Sequence, residues 1–148
     1  MSYPNDSSAA IKILSGIQIE EPEVFIPWDT SASDLAVLFS KYPLTRVTDD
    51  YYTIKDVRLL NNLTCNIGLH FDNMLTRVEF FRNDYSDLDK SYNEFQMIFE
   101  SKFGKPSKRI RDLANFESCE WDICNRIKIH HYVIDRFGLT EYLYIRRI

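Results

Sequence analysis

Glycine is scarce in this chain, with 4 in 148 residues. That excludes a glycine-rich loop cradling phosphate and points to long strands joined by tight turns of Asn and Asp. The 3 cysteines, Cys65, Cys119 and Cys124, are an odd number without CxxC spacing. Such a set fits buried thiols in a reducing compartment rather than a disulfide frame. HxxxH and HExxH spacings are missing too, so no metal is expected. No run approaches the roughly 18 apolar residues that cross a bilayer. The N-terminal stretch carries Asp6, Glu20, Glu21 and Glu23 in place of a basic start and an apolar core. No membrane contact is expected, and the chain reads as cytoplasmic.

Catalytic patterns are equally thin. There is no GxSxG elbow. His130 and His131 are neighbours in an expected strand and should face opposite ways, while His70 lies opposite the face of Cys65. No catalytic residue, cofactor or enzymatic activity is expected. A net charge of −4 disfavours nucleic acid, which needs a cationic field. The run Lys105–Arg111 is instead expected to loop out behind a helix C-terminus. Tyr142 and Tyr144 share a strand face and form the one conceivable stacking platform.

What is present is apolar: 45% hydrophobic and 14% aromatic residues, enough for one packed domain. Residues 1–10 are polar and read as a flexible tail. Ile11–Leu14 and Ile17–Glu20 alternate around Ser15-Gly16 and suggest a short strand kinked there. Ser31 and Asp34 form a capping-box pattern ahead of Leu35, Leu38, Phe39 and Tyr42, which predicts a helix of about three turns ended by Pro43. Tyr51–Leu59, Leu63–Phe71 and Leu75–Arg82 read as strands, with Leu63, Cys65, Ile67, Leu69 and Phe71 alternating strictly. A second helix is marked by Ser86 and Asp89 at its start, by Leu88, Tyr92, Phe95, Phe99 and Phe103 along one face, and by Gly104 and Pro106 at its stop. Three strands follow, Phe116–Cys124, Ile127–Asp135 and Leu139–Ile148.

The second half echoes the first. One ungapped offset takes Leu75-Thr76 to Leu139-Thr140, Arg82 to Arg146, and the turn at Asn61-Asn62 to Asn125-Arg126. The expected fold is α+β: residues 11–148 as one domain of two related helix-plus-three-strand halves, about 24–83 and 84–148. Together they would form a curved antiparallel sheet with both helices on one face.

An acidic set remains: Glu20, Glu21, Glu23 and Asp29, then Asp49 and Asp50 beside Tyr51 and Tyr52. Carboxylates around tyrosines suit a desolvated protein contact. The expected function is therefore a non-catalytic protein-binding domain. Its concrete form is an immunity-type inhibitor that covers the active site of a basic toxin or nuclease, with a cationic protein as partner. The alternative is a small-molecule-binding or enzymatic domain with a groove on the open sheet face or between the halves. A homodimer joined at an edge strand or through Tyr142 and Tyr144 is a third possibility.

Overall fold

The computed structural model describes residues 7–111 and 116–148. Its main body is one antiparallel sheet of 8 strands in the order β3-β4-β5-β6-β10-β9-β8-β7. The strands are β3 (Thr45–Thr48), β4 (Tyr51–Leu59), β5 (Leu63–Asp72), β6 (Met74–Phe81), β7 (Lys108–Arg111), β8 (Glu117–Ile123), β9 (Ile127–Asp135) and β10 (Leu139–Arg147). Strands β3 to β6 and β8 to β10 pair with their chain neighbours, and β6 meets β10 at the centre, with Val78 opposite Ile145. The other described elements are helices α1 (Ser7–Ile13), α2 (Ala32–Leu38) and α3 (Leu88–Phe103), and a separate hairpin of β1 (Gly16–Ile19) and β2 (Val24–Pro27).

Alternation in the strands decides which face is covered. Leu63, Cys65, Ile67, Leu69 and Phe71 all point inward and are buried, as are Cys119, Trp121 and Ile123 on β8. They join a single core with Leu35 and Phe39, with Phe95 and Phe99 of α3, and with Ile17, Ile19 and Ile26 of the small hairpin. Each large apolar side chain buried in this way contributes about 1.5–3 kcal/mol, so this face holds the fold together.

The expected mixed α+β fold with an antiparallel sheet is therefore present, and its details need correction. There are three helices rather than two among the described residues. Ile11–Leu14 was expected as strand, yet α1 occupies most of it. Ile11 and Ile13 do alternate, but Ala10, Ile13 and Leu14 pack against the core at helical spacing while Ile11 is exposed. The indole of Trp28 then donates to the carbonyl of Ile13 at 2.7 Å, tying α1 to the end of β2. The expected tail overlaps this helix at Ser7–Ala10; residues 1–6 lie outside the described residues.

Helix α2 is shorter than expected, about two turns, and leaves Leu38 and Tyr42 exposed. Its cap is as expected, with Asp34 N donating to Ser31 Oγ at 3.2 Å. The cap of α3 is Asp87 rather than Ser86; it accepts from Lys90 N at 3.0 Å. Two strands of the eight-stranded sheet had no counterpart in the pattern, nor did β2 of the small hairpin. β3 and the Lys108–Arg111 part of the basic run form the sheet's outer edges, with every residue exposed. An edge strand has no buried face to impose alternation, and its charges discourage further pairing.

Turn positions carry left-handed backbone without glycine. Leu60 and Asn61 have φ of 53° and 73°, and Cys124 and Asn125 have 55° and 56°. Asn73 has φ of 61° and Phe137 60°. Each of these falls on its partner under the offset that takes Leu75 to Leu139.

Candidate functional site

No described helix lies over the second face of the sheet, and its polar and aromatic side chains fall in rows set by strand register. One row runs Tyr51, His70, Arg77, Arg146, Lys128, Asp122 across β4, β5, β6, β10, β9 and β8. The neighbouring row runs Thr53, Gly68, Glu79, Tyr144, His130, Glu120 across the same strands. Tyr142 and Tyr132 stand opposite each other beside them.

Two clusters occupy this surface. In the first, the Tyr51 ring stacks on His70 with centroids 4.3 Å apart, and the Tyr51 hydroxyl donates to Glu79 Oε1. His70 Nε2 lies 3.1 Å from the same oxygen but makes no directed hydrogen bond with it. Burial alone would raise the Glu79 carboxyl; His70, Tyr51 and the charge of Arg77 outweigh it and leave Glu79 below the usual carboxylate range. Burial, followed by the carboxylate beside it, pushes the Tyr51 hydroxyl upward, so Tyr51 stays protonated. Gly68 makes the closure possible, because a Cβ there would sit 2.5 Å from Glu79 Oε1 and 2.8 Å from Tyr51 Cε1.

The second cluster is aromatic. Tyr132 stacks on Tyr142 at 5.3 Å, His130 packs on Tyr132 at 4.2 Å, and Tyr144 meets both His130 and Tyr132 edge-on. Ser118 Oγ and Tyr144 OH hold the His130 ring nitrogens at 2.9 and 3.3 Å. Burial keeps His130 below its ordinary value and therefore neutral at pH 7. The Arg77 guanidinium, 5.5 Å from the Tyr144 ring centroid, bridges the two clusters.

The covered face holds a different polar group. His131 is fully buried between β9 and α3. Its Nδ1 lies 2.7 Å from Gln96 Oε1 and its Nε2 2.5 Å from Glu141 Oε2, while the Gln96 amide nitrogen donates to Glu100. Ser91 Oγ donates to Glu141 Oε1 and receives Arg82 Nε, whose guanidinium also binds Glu94 and lies over Phe95. Burial pushes His131 down, and Glu141 opposes without reversing it. With Tyr92 stacked over the ring at 4.2 Å, nothing from solvent reaches this group. It pins α3 to the sheet.

The eight residues singled out by sequence scatter over the molecule. Glu20 and Glu21 hold the β4–β5 turn: Glu20 accepts from Asn61 N, and Glu21 pairs with Arg58 at 2.9 Å. Asp49, paired with Arg46, and Asp50 lie at the other end of β4, on the order of 25 Å away at strand rise. Glu23 is exposed, and Asp29 lines a shallow depression with Asp34 and Val37. Tyr51 belongs to the open face, whereas Tyr52 turns inward onto Phe71. The sequence pattern places Tyr142 and Tyr144 on one strand face but leaves Tyr132 and Arg77 unmarked. The alternation of Tyr132 with buried Val133 and His131 was the available signal.

A recess of about 270 Å³ lies between α1, β1 and the end of α3, lined by Lys12, Ile17, Gln18, Glu20 and Lys102 among others, and by none of His70, His131 or Cys65. Burial pushes the Cys65 thiol up to about 12 and raises Cys119 as well, so neither is a ready nucleophile. No group of metal-ligating side chains occurs among the described residues, and no described helix is long and apolar enough to cross a membrane. Compared with protein-family models, curated proteins and solved structures, the chain matches none.

Proposed function

We propose that this chain is a non-catalytic protein-binding domain whose contact surface is the uncovered face of the eight-stranded sheet. One observation carries the reading: Tyr132, Tyr142, Tyr144 and Arg77 stand together, half-buried, on a face that no described helix covers. Tyr and Arg are the side chains that anchor protein contacts, since they bury large area while keeping a polar end. Their mutual packing fixes the rings in place, so little rotamer freedom remains to be lost on binding.

The finer form, an immunity-type inhibitor of a basic toxin or nuclease, rests on the acidic side chains alone. Because these lie at opposite ends of β4 and beyond it, the tyrosine face gives the general reading its support. The surface also reads as the product of a doubled unit, residues about 24–83 and 84–148. Supporting that are the strand order, which runs inward to β6 and back out from β10, and the left-handed turn residues that coincide under one offset. The open face would then be built from both copies and absent from either alone.

The test is affinity capture from a lysate of the native host with the tagged full chain. Wild type and the exposed-helix control Val37→Ala should retain one stoichiometric protein, and the double variant Tyr132→Ala/Tyr142→Ala should lose it at least tenfold. Full retention by the double variant, or no partner even at low salt, would overturn the proposal.

A further inference from the structure

We infer that the partner of the open face presents a pair of carboxylates to the row of cations crossing its centre; this rests on the open-face reading and adds the chemistry of the partner. Arg77 and Arg146 are direct cross-strand partners at the β6–β10 junction, and Lys128 is the next partner of Arg146. Directly opposed like charges destabilise a sheet. Here two guanidinium-bearing strands meet at the middle of the molecule, where neither can be splayed away as at an edge. Among the described residues, no carboxylate lies within ion-pair distance of Arg77 or Arg146, whereas Lys128 has Glu120 at 3.7 Å. Glu79, the nearest acid along β6, turns its Oε1 to Tyr51 and His70 instead.

An arginine pair of this kind is half of an interaction. Guanidinium groups bind carboxylates in a planar, two-pronged way that lysine cannot reproduce. The tyrosines alongside would exclude water from that contact and strengthen it. Strand spacing places Arg77 and Lys128 about 10 Å apart, a span matched by two acidic side chains on one extended segment or loop. A phosphate monoester is the poorer match, because it carries more negative charge than a carboxylate and Glu79, Glu120 and Asp122 on the same face repel it more strongly.

The experiment titrates the isotopically labelled full chain with a blocked Glu–Ser decapeptide, its Lys–Ser counterpart and a single-stranded oligothymidylate, following backbone amides by NMR. Expected are salt-sensitive shifts at Arg77, Tyr144 and Arg146 with the acidic peptide, reduced at least fivefold in Arg77→Gln/Arg146→Gln, with the melting temperature of that variant equal to or above wild type. Absence of those shifts, the same shifts with the basic peptide, or tighter binding of the oligonucleotide there would overturn the inference. So would a concentration-dependent dimer using this face, or a clear fall in melting temperature, which would make the arginines structural. The capture assay separates the two levels. Loss of the partner in both Tyr132→Ala/Tyr142→Ala and Arg146→Glu supports the carboxylate reading. Loss in the tyrosine variant with retention or gain in Arg146→Glu leaves the open-face contact standing and removes the acidic partner.

Discussion

His130 and His131 are adjacent in sequence and belong to different worlds. His131 is sealed between sheet and helix, both ring nitrogens engaged and the Tyr92 ring over it. His130 lies on the open side among Tyr132, Tyr144 and Ser118, in contacts that hydroxyl rotation can remake. The pleat alone makes the difference, by sending successive side chains to opposite faces. One face spends its polar groups on holding α3; the other keeps them where a second molecule can reach. Stability and recognition are thereby separated within a single dipeptide, and that separation can be tested from either side.

The strongest break is Glu141→Leu. It removes the hydrogen-bond partner of His131 Nε2 and the acceptor of Ser91 Oγ in a fully buried site, and leaving such groups unpaired costs about 3–5 kcal/mol. Urea unfolding should show that loss as a lower midpoint with an unchanged slope. Adding His131→Phe should recover a good part of it, since removing both partners is less harmful than removing one. On the open face, Tyr144→Phe takes a hydroxyl from His130 and should stay within about 0.5 kcal/mol of wild type. Similar losses from the two variants would erase the distinction drawn between the faces.

A middle-sized effect is expected where the open face is itself tightly closed. Gly68→Ala places a methyl group against Glu79 and Tyr51. Both neighbours are side chains and can swing aside, so the cost is the lost Tyr51–Glu79 contact and some overpacking, about 1–3 kcal/mol. The same substitution made in a Glu79→Ala background should cost clearly less, because the two sites share that contact. An equal cost in both backgrounds would show that the glycine answers to something other than this cluster.

How much of this could be read in the residues follows the same division. The covered face was legible because burial enforces a period: Leu63 to Phe71 and Cys119 to Ile123 alternate, and Tyr92, Phe95 and Phe99 recur at helical spacing. The edge strands Thr45–Thr48 and Lys108–Arg111 were not, since no residue in either is buried. Helix α1 was misread because Ile11 and Ile13 mimic a strand while its real contacts come from Ala10, Ile13 and Leu14. The open face was legible only in fragments. Which tyrosine meets which arginine depends on register between strands far apart in the chain, as with Arg77 and Arg146. Local composition carries no trace of that pairing, and the acidic residues it does display sit at separate turns.

The smallest expected effect concerns protons. Burial holds both His130 and His131 below their ordinary value in the folded chain. As pH falls below about 6.5 the unfolded chain therefore takes up protons first, and stability that is complete above that range is progressively lost. Replacing His130 by Gln should flatten this slope by less than about 1.4 kcal/mol per pH unit, the ceiling for one proton. Glu79 acts in a lower window: its folded value is depressed, so its contribution is complete above about 4.3 and disappears as pH falls through that depressed value. Glu79→Gln should leave the neutral limb untouched and change only the acid limb. Denaturant midpoints collected from pH 8 to pH 3 on the two variants would separate these windows, and a His130→Gln profile that overlays wild type throughout would assign the whole neutral limb to the buried His131.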